Sequence, residues 1–189
     1  MLVTTPLDSV RETPATPTWA SLDAFLADIG TRAFRFAEAG LRHREDALDA
    51  VQDAMMKMLV YRERPSGEWT PLFWSILRRR MIDMQRRARF RLGWLRPAGE
   101  LAHADDASID WADPGAGPVR AHEQREAWSR LVLALRALPA RQREAFTLRV
   151  LEELDVATTA KAMGCSEGSV KTHLSRARQA LNSQLEDGL

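Results

Sequence analysis

Apolar residues recur at helical spacing through the first half of the chain and predict three helices there. The first spans 22–40, begins after Ser21, whose side chain suits an N-cap, and ends at a glycine. The second spans about 45–61, and the third runs from a threonine–proline start at 70 to about 91. Each helix has one apolar stripe, so we expect the three to pack as a small bundle. The predicted inward positions are Leu22, Phe25, Leu26, Ile29, Ala33 and Phe36, then Leu48, Val51, Met55, Met58 and Leu59, then Phe73, Ile76, Leu77, Met81 and Met84.

The pattern changes in the middle of the chain. Residues 97–118 contain five acidic side chains and no lysine or arginine, with several glycines and prolines, which is typical of a linker. Helical spacing then predicts helices from about 121 to 138 and over 140–151, 156–163 and 167–185. No strand alternation is evident. The sequence therefore predicts an all-α fold of two small domains joined by a flexible linker: an N-terminal three- to four-helix bundle and a C-terminal four-helix domain. The predicted boundaries are 1–20 for a flexible arm, 21–96 and 121–189 for the domains, and 97–120 for the acidic linker.

The C-terminal domain contains the pattern of a helix-turn-helix. Asp155 and Ser166 are each placed to cap a helix, and Gly164 between them suits a tight turn. In the last helix Val170 and its neighbours at helical spacing form one apolar stripe, while the other face carries hydroxyl and basic groups without an acid. That face fits a DNA major groove, although an ordinary helical hairpin with a solvated basic face is the plainer alternative. The candidate DNA-binding residues are Ser169, Lys171, Thr172, Ser175, Arg176 and Arg178.

Arginines dominate the third predicted helix and the segment after it. Eight of them, with Asp83 as the one acid, lie between 71 and 96, and aromatic residues are interleaved. Arginines bind phosphates and aromatic rings can stack on unpaired bases, so this pattern favours binding to nucleic acid. The alternative is a bundle helix with solvated arginines and core aromatics, which is the better interpretation for Phe73. Asp83 is placed to pair with Arg79 or Arg87. The aromatic candidates are Trp69, Phe73, Trp74, Phe90 and Trp94, and the arginines are Arg78, Arg79, Arg80, Arg86, Arg87, Arg89, Arg91 and Arg96.

The second predicted helix has an acidic outward face. An acidic face with an exposed methionine suits a basic protein surface rather than DNA, and a simply solvated face is the alternative. Its residues are Asp46, Asp49, Gln52, Asp53 and Met56.

Composition adds mainly exclusions. The formal net charge of the 189 residues is +1 and the single cysteine allows no internal disulfide, which fits a reducing cytoplasm. No apolar run is long enough to cross a bilayer, and the start lacks the pattern of a signal peptide. A metal-dependent hydrolase would need His43, Glu45, Asp46 and Asp49 to converge, which helical spacing does not favour. We therefore expect a cytoplasmic protein without catalytic residues, metal or cofactor.

These motifs together resemble one known family, the extracytoplasmic-function (ECF) sigma factors of bacterial RNA polymerase. The segment 46–53 resembles the family's helix that docks on the polymerase. The segment 72–83, with Arg86 and Arg87, resembles its helix for the melted −10 promoter element. The segment 168–178 resembles its −35 recognition helix. The two domains stand in family order and separation over about 22–185.

The resemblance implies a function and partners. The residues of the acidic face would bind polymerase, and Arg78, Arg79, Asp83, Arg86 and Arg87 would bind −10 DNA. The implied partners are core RNA polymerase (β′ clamp helices and β flap), promoter DNA and an anti-sigma protein. The acidic linker, anchored by Ile109 and Trp111, would thread polymerase channels, although it also fits a plain solubilising linker. The alternatives are a stand-alone helix-turn-helix regulator, which would need a dimer surface and a palindromic site, and a sigma-like adaptor that melts no DNA.

Overall fold

Seven α-helices account for most of the described chain. The computed structural model describes the backbone of residues 19–93 and 118–186 and, apart from residue 123, the side chains of 19–88 and 122–184. Within those ranges no strand occurs, so the predicted all-α class is confirmed, and none of those helices is both long and apolar enough to cross a membrane. The helices are α1 (Leu22–Gly40), α2 (Arg44–Met58), α3 (Trp69–Gly93), α4 (Pro118–Ala137), α5 (Ala140–Phe146), α6 (Val156–Met163) and α7 (Glu167–Glu186).

The first helix forms as its sequence predicts. The Ala24 amide donates to the Ser21 hydroxyl at 3.1 Å, which satisfies one of the free amides at the helix start. Phe25 and Ile29 are buried, and the ring of Phe25 meets those of Trp19, Trp69 and Phe73 at 5.6–5.9 Å. Edge and tilted ring contacts at this spacing stabilise a core beyond simple burial. An aromatic cluster therefore joins α1 to α3.

The second helix is rotated relative to the prediction. Leu48 and Leu59, predicted to face inward, are 43% and 42% exposed. Ala47, Ala50 and Ala54 are completely buried instead, whereas Val51 and Met58, which were also predicted to face inward, are buried as predicted. Small side chains let α2 lie close to α1 and α3, and this close approach turns the leucines outward.

The third helix starts two residues earlier than predicted, at Trp69 instead of Pro71. A 3₁₀ turn over Ser66–Glu68 leads directly into Trp69, so Thr70 lies inside α3 rather than capping it. Trp69 and Trp74 are 6% and 0% exposed, which corrects their interpretation as base-stacking groups because neither ring can reach a base. Phe73 is buried, as the plainer interpretation predicted. The side chains of Phe90 and Trp94 lie outside the described residues.

The C-terminal helices match their predicted positions closely. Helix α4 begins at Pro118, three residues before the predicted restart, and α5 continues as a π-helical turn over Thr147–Leu151. Arg143 donates to the carbonyls of Arg136 and Leu138, both at 3.4 Å, and thereby satisfies acceptors at the end of α4. Most of the predicted arm and acidic linker, including Ile109 and Trp111, lies outside the described residues.

The two halves of the chain share one core. Helix α6 packs along α3, and α1 contacts α4 and α5. One continuous cluster of buried side chains contains Phe73 and Leu77 from the N-terminal half and Leu148, Met163 and Val170 from the C-terminal half. The N-terminal bundle and the helix-turn-helix therefore lie directly against each other.

Candidate DNA-reading and docking surfaces

Helices α6 and α7 form a capped helix-turn-helix. Asp155 accepts hydrogen bonds from the amide and the hydroxyl of Thr158, both at 2.7 Å, at the start of α6. Gly164 ends α6 at φ 62° and ψ 47°, a left-handed conformation that glycine adopts without steric cost. The Ser169 amide donates to the Ser166 hydroxyl at 3.2 Å at the start of α7. The predicted helix caps at Asp155 and Ser166 and the predicted turn at Gly164 are all confirmed.

Asp155 is held in its ionised form. Burial alone would raise the pKa of its carboxyl, but the hydrogen bonds from Thr158 and from the Ala157 amide, with the charge of Arg149, lower it overall. A carboxylate accepts these bonds better than a neutral acid does. The start of the helix-turn-helix is therefore fixed by a charged cap.

The outer face of α7 is basic and open, and we call it the reading face. Val170 and Ala177 are completely buried on the opposite side, as predicted. The reading face consists of the exposed residues Lys171, Thr172, Ser175, Arg176 and Arg178. No aspartate or glutamate stands between Glu167 and Glu186.

Two hydroxyls on α7 are already engaged. Ser169, predicted as a DNA contact, is half-buried, and its hydroxyl lies 2.9 Å from that of Ser166. Thr172 is exposed, but its hydroxyl donates to the Gly168 carbonyl at 3.0 Å. Ser169 is therefore placed to support the cap, while Thr172 presents chiefly its methyl group.

A second basic surface lies on α3, and we call it the arginine face. Arg79, Arg86 and Arg87 are exposed and share one side of the helix with the half-buried Asp83. Among the described side chains Asp83 forms no ion pair, so its predicted pairing with Arg79 or Arg87 is not observed. The three guanidinium groups of this face therefore form no ion pair with any acid whose side chain the structure describes.

Two other arginines of α3 are engaged within the protein. The Arg78 Nε donates to Glu144 Oε2 at 2.8 Å, and the two side chains are 15% and 13% exposed. The Arg80 Nε lies 2.6 Å from Asp53 Oδ2 of α2. Of the residues predicted to bind −10 DNA, Arg78 is thus ion-paired with Glu144, and of the predicted docking residues, Asp53 is ion-paired with Arg80.

The outer face of α2 combines acids with apolar groups, and we call it the docking face. Asp49, Gln52 and Met56 are exposed, whereas Asp46 is half-buried. Leu48 lies beside them, and Met56 is 62% exposed. The residues after α2, Leu59 and Val60, continue this apolar surface. A run of exposed large apolar side chains flanked by carboxylates is typical of a protein-binding surface.

The apolar part of this face was missed by the sequence pattern. Leu48 and Leu59 fit a core stripe by their spacing alone, so the pattern assigned them to the interior. The signal that identifies them is the set of alanines at 47, 50 and 54, which lies at helical spacing and fills the inner side of α2. The ion pair between Arg80 and Asp53 had no separate sequence signal because it joins two helices.

Comparisons with known proteins agree with this architecture. The family model described as "Sigma-70, region 4" matches residues 129–181. The chain is 29% identical over 170 residues to the RNA polymerase sigma factor SigV of Bacillus subtilis (strain 168). This match covers 89% of this chain and 93% of SigV. It is 32% identical over 131 residues to the ECF RNA polymerase sigma factor BldN of Streptomyces coelicolor (strain ATCC BAA-471 / A3(2) / M145). This match covers 67% of this chain and 44% of BldN.

A solved structure has the same arrangement of helices. The sigma factor RpoE of Bartonella quintana, determined with the anti-sigma factor NepR, superposes with a TM-score of 0.62 and is 25% identical, over 87% of this chain and 96% of RpoE. The family model covers the helix-turn-helix, and SigV and RpoE match across both halves of the chain. The chain therefore belongs to the ECF sigma factors of the sigma-70 family, as the sequence resemblance predicted.

Proposed function

We propose that this chain binds core RNA polymerase through its docking face and directs it to promoters whose −35 and −10 elements it reads with the reading face and the arginine face. The observation that carries the proposal is that one chain has two separate basic surfaces, neither of which is ion-paired with an acid among the described side chains. A protein that reads one DNA site needs only one such surface. Two basic surfaces together with one acidic–apolar surface fit a protein that joins an enzyme to two promoter elements.

At the −35 element the reading face acts by direct contact in the major groove. Lys171 and Thr172 lie nearest the start of α7, where a recognition helix meets base edges, and Ser175 follows one turn after Lys171. Arg176 can make two hydrogen bonds to a guanine, and Arg178, at the margin of the face, is placed for a phosphate. The Thr172 methyl group offers an apolar contact to a thymine.

At the −10 element the arginine face receives bases that have left the duplex. Arg79 and Arg86 attract the phosphates of the separated strand, and Asp83 between them accepts hydrogen bonds from base amino groups. The buried tryptophans cannot stack on bases. Contacts from the exposed arginines must therefore offset the free energy of unpairing, about a few kcal/mol per base. Polymerisation itself belongs to the polymerase.

A transcription assay tests the proposal as a whole. Core RNA polymerase is given a promoter library with and without the full chain, and start sites are sequenced. We expect promoter-specific starts only when the chain is present, and loss of most of them with Lys171→Ala plus Arg176→Ala. Arg42→Ala, an exposed arginine outside all three faces, is the control. No gain of specific starts overturns the proposal, and protection of a palindrome without polymerase favours a stand-alone regulator instead.

A binding assay tests the docking face separately. Asp49→Arg combined with Met56→Lys should weaken capture of core polymerase by about tenfold or more, since it reverses charge and removes an apolar contact. Asp53 is left intact because its partner Arg80 would otherwise lose its ion pair. Asp23→Arg makes a similar charge change on the exposed surface of α1 and should bind normally. Equal capture by the double variant contradicts the assignment of this face.

A further inference from the structure

A cavity of about 250 Å³ lies where α1, α3 and α5 meet. The described residues that line it belong to none of the docking, reading and arginine faces. An apolar protein cavity of about 150 Å³ is large enough to hold benzene. The volume at α1, α3 and α5 is therefore sufficient for one aromatic ring together with a small polar group.

One side of this cavity is apolar. Phe36 of α1 and Met81 of α3 line it and are 3% and 6% exposed, and the half-buried Ile82 lies beside them. A side chain at Gly40 would collide with the Met81 methyl group, so glycine at this position leaves room for the methionine. Phenylalanine rings and methionine sulfur both pack favourably against an aromatic ring. This side therefore favours an aromatic body over a fully polar one.

The other side of the cavity has a surplus of positive charge. Three arginines, Arg78, Arg141 and Arg143, line it, and Glu144 is the one acid among the described lining residues. Glu144 accepts from the Arg78 Nε at 2.8 Å and lies 3.7 Å from the Arg141 Nη1. The Arg141 Nη1 donates at the shorter distance of 2.8 Å to the Met163 carbonyl. One carboxylate thus faces three guanidinium groups, which leaves two positive charges for a second anion.

Arg143 is the arginine that would gain most from a second anion. Among the described residues its guanidinium donates to two backbone carbonyls, both at the long distance of 3.4 Å. Burial lowers the pKa of Arg143, the charge of Glu144 offsets this in part, and the neighbouring charge of Arg136 lowers the pKa further. An anion close to a buried guanidinium stabilises its charged form. The charge and burial of this side therefore favour a carboxylate.

We propose that this cavity binds a small aromatic carboxylate, with its ring against the apolar side and its carboxylate against the three arginines. A guanidinium can donate two parallel hydrogen bonds to a carboxylate, which orients the ligand as well as holding it. The site is separate from the surfaces assigned to polymerase and DNA, so it is tested without either of them.

Binding of benzoate to the full chain tests the proposal. Because helices from both halves of the chain line the cavity, a bound ligand stabilises the folded state, and saturating benzoate should raise the melting temperature by about 3 °C or more. Benzyl alcohol keeps the ring without the charge, and acetate keeps the charge without the ring. Each should bind about tenfold more weakly than benzoate or worse. An equal effect of acetate would mean an adventitious ion only, and an equal effect of benzyl alcohol would exclude the arginines; either result overturns the proposal.

Nuclear magnetic resonance of isotope-labelled methionine methyl groups locates the bound molecule. The Met81 methyl group lines the cavity and should shift as benzoate is added. The Met56 methyl group, on the docking face with 62% of the residue exposed, should not shift. A titration in which Met81 does not respond, or in which both methyl groups respond equally, overturns the site.

Substitutions at exposed lining residues complete the test, since they change the cavity without entering the core. Ala140→Phe fills part of the volume and should weaken benzoate binding about tenfold or more, whereas Ala137→Phe, exposed at the end of α4 outside the cavity, should bind normally. Arg141→Gln removes one charge and should weaken binding about threefold, and Arg141→Lys should restore part of the loss. The melting temperature of each variant without ligand shows that it is folded. Parent-like affinity of Ala140→Phe or of Arg141→Gln overturns the proposal.

Discussion

At the scale of single residues, the start of the helix-turn-helix depends on a charged cap. Asp155 accepts two hydrogen bonds from Thr158 at 2.7 Å and has a lowered pKa. Asp155→Ala should therefore lower the free energy of unfolding by about 1 kcal/mol at neutral pH, as loss of an N-cap generally does. Urea unfolding of both chains measures this difference.

The same cap predicts a pH dependence. Because the pKa of Asp155 is lower when folded than its ordinary value of 3.8, its stabilising contribution is present above pH 3.8 and is lost as the pH falls through the folded value. The stability difference between the parent chain and Asp155→Ala should narrow over that acidic range. Asp155→Ser keeps an acceptor oxygen without titrating, and its difference from the alanine variant should stay constant. A pH-independent difference between the parent chain and Asp155→Ala would contradict the charged cap.

Glu153 is the one described residue other than glycine with a positive φ, at 51°. A side chain in this left-handed conformation costs about 1–2 kcal/mol. Glycine would remove this strain, but it loses more conformational entropy on folding, which cancels part of the gain. Glu153→Gly should therefore raise the melting temperature by about 2–4 °C, for a net gain of about 1 kcal/mol. Glu153→Val should lower it. A less stable glycine variant would show that the glutamate compensates for the strain.

At the scale of the helix, α2 shows how apolar spacing can mislead. The spacing favours Leu48 as a core residue, yet Ala47, Ala50 and Ala54 are the buried set. Ala54→Leu should destabilise the fold by about 1–3 kcal/mol because it forces extra volume against α1 or α3. Leu48→Ala should stay within about 0.5 kcal/mol, since its side chain is largely exposed. Chemical denaturation of both variants measures the contrast. If Leu48→Ala were the more destabilising of the two, Leu48 would belong to the core, as the spacing predicted.

Local chemistry explains which features were predictable from the sequence. The caps at Ser21, Asp155 and Ser166 and the turn at Gly164 depend on residues within four positions, so the sequence alone indicates them. The rotation of α2 depends on how closely neighbouring helices approach. The ion pair that engages Arg78 depends on Glu144, which lies 66 positions away in the sequence. No local pattern distinguishes an arginine held by a distant acid from one that faces DNA.

At the scale of the whole molecule, the shared core makes the two domains one folding unit. Phe73 and Leu77 lie in the same buried cluster as Leu148 and Met163, so separating the domains exposes apolar surface on both. In the sequence, the acidic segment 97–120 separates the two groups of predicted helices, which suggested two bodies connected by a linker. The docked arrangement instead depends on contacts such as Arg32 with Glu152, which are 120 positions apart and have no signal in either domain alone.

This coupling predicts a single unfolding transition. Calorimetry of the full chain should give a calorimetric enthalpy equal to the van't Hoff value, because neither half keeps its core when the other unfolds. Glu152→Arg weakens the contact between the halves without altering the interior of either, so its transition should broaden or divide into two. Adding Arg32→Glu should restore a single transition, because the double variant re-forms the ion pair with the two charges exchanged. Two resolved transitions in the parent chain would mean that the domains fold independently, and the contacts between α3 and α6 would then contribute little to stability.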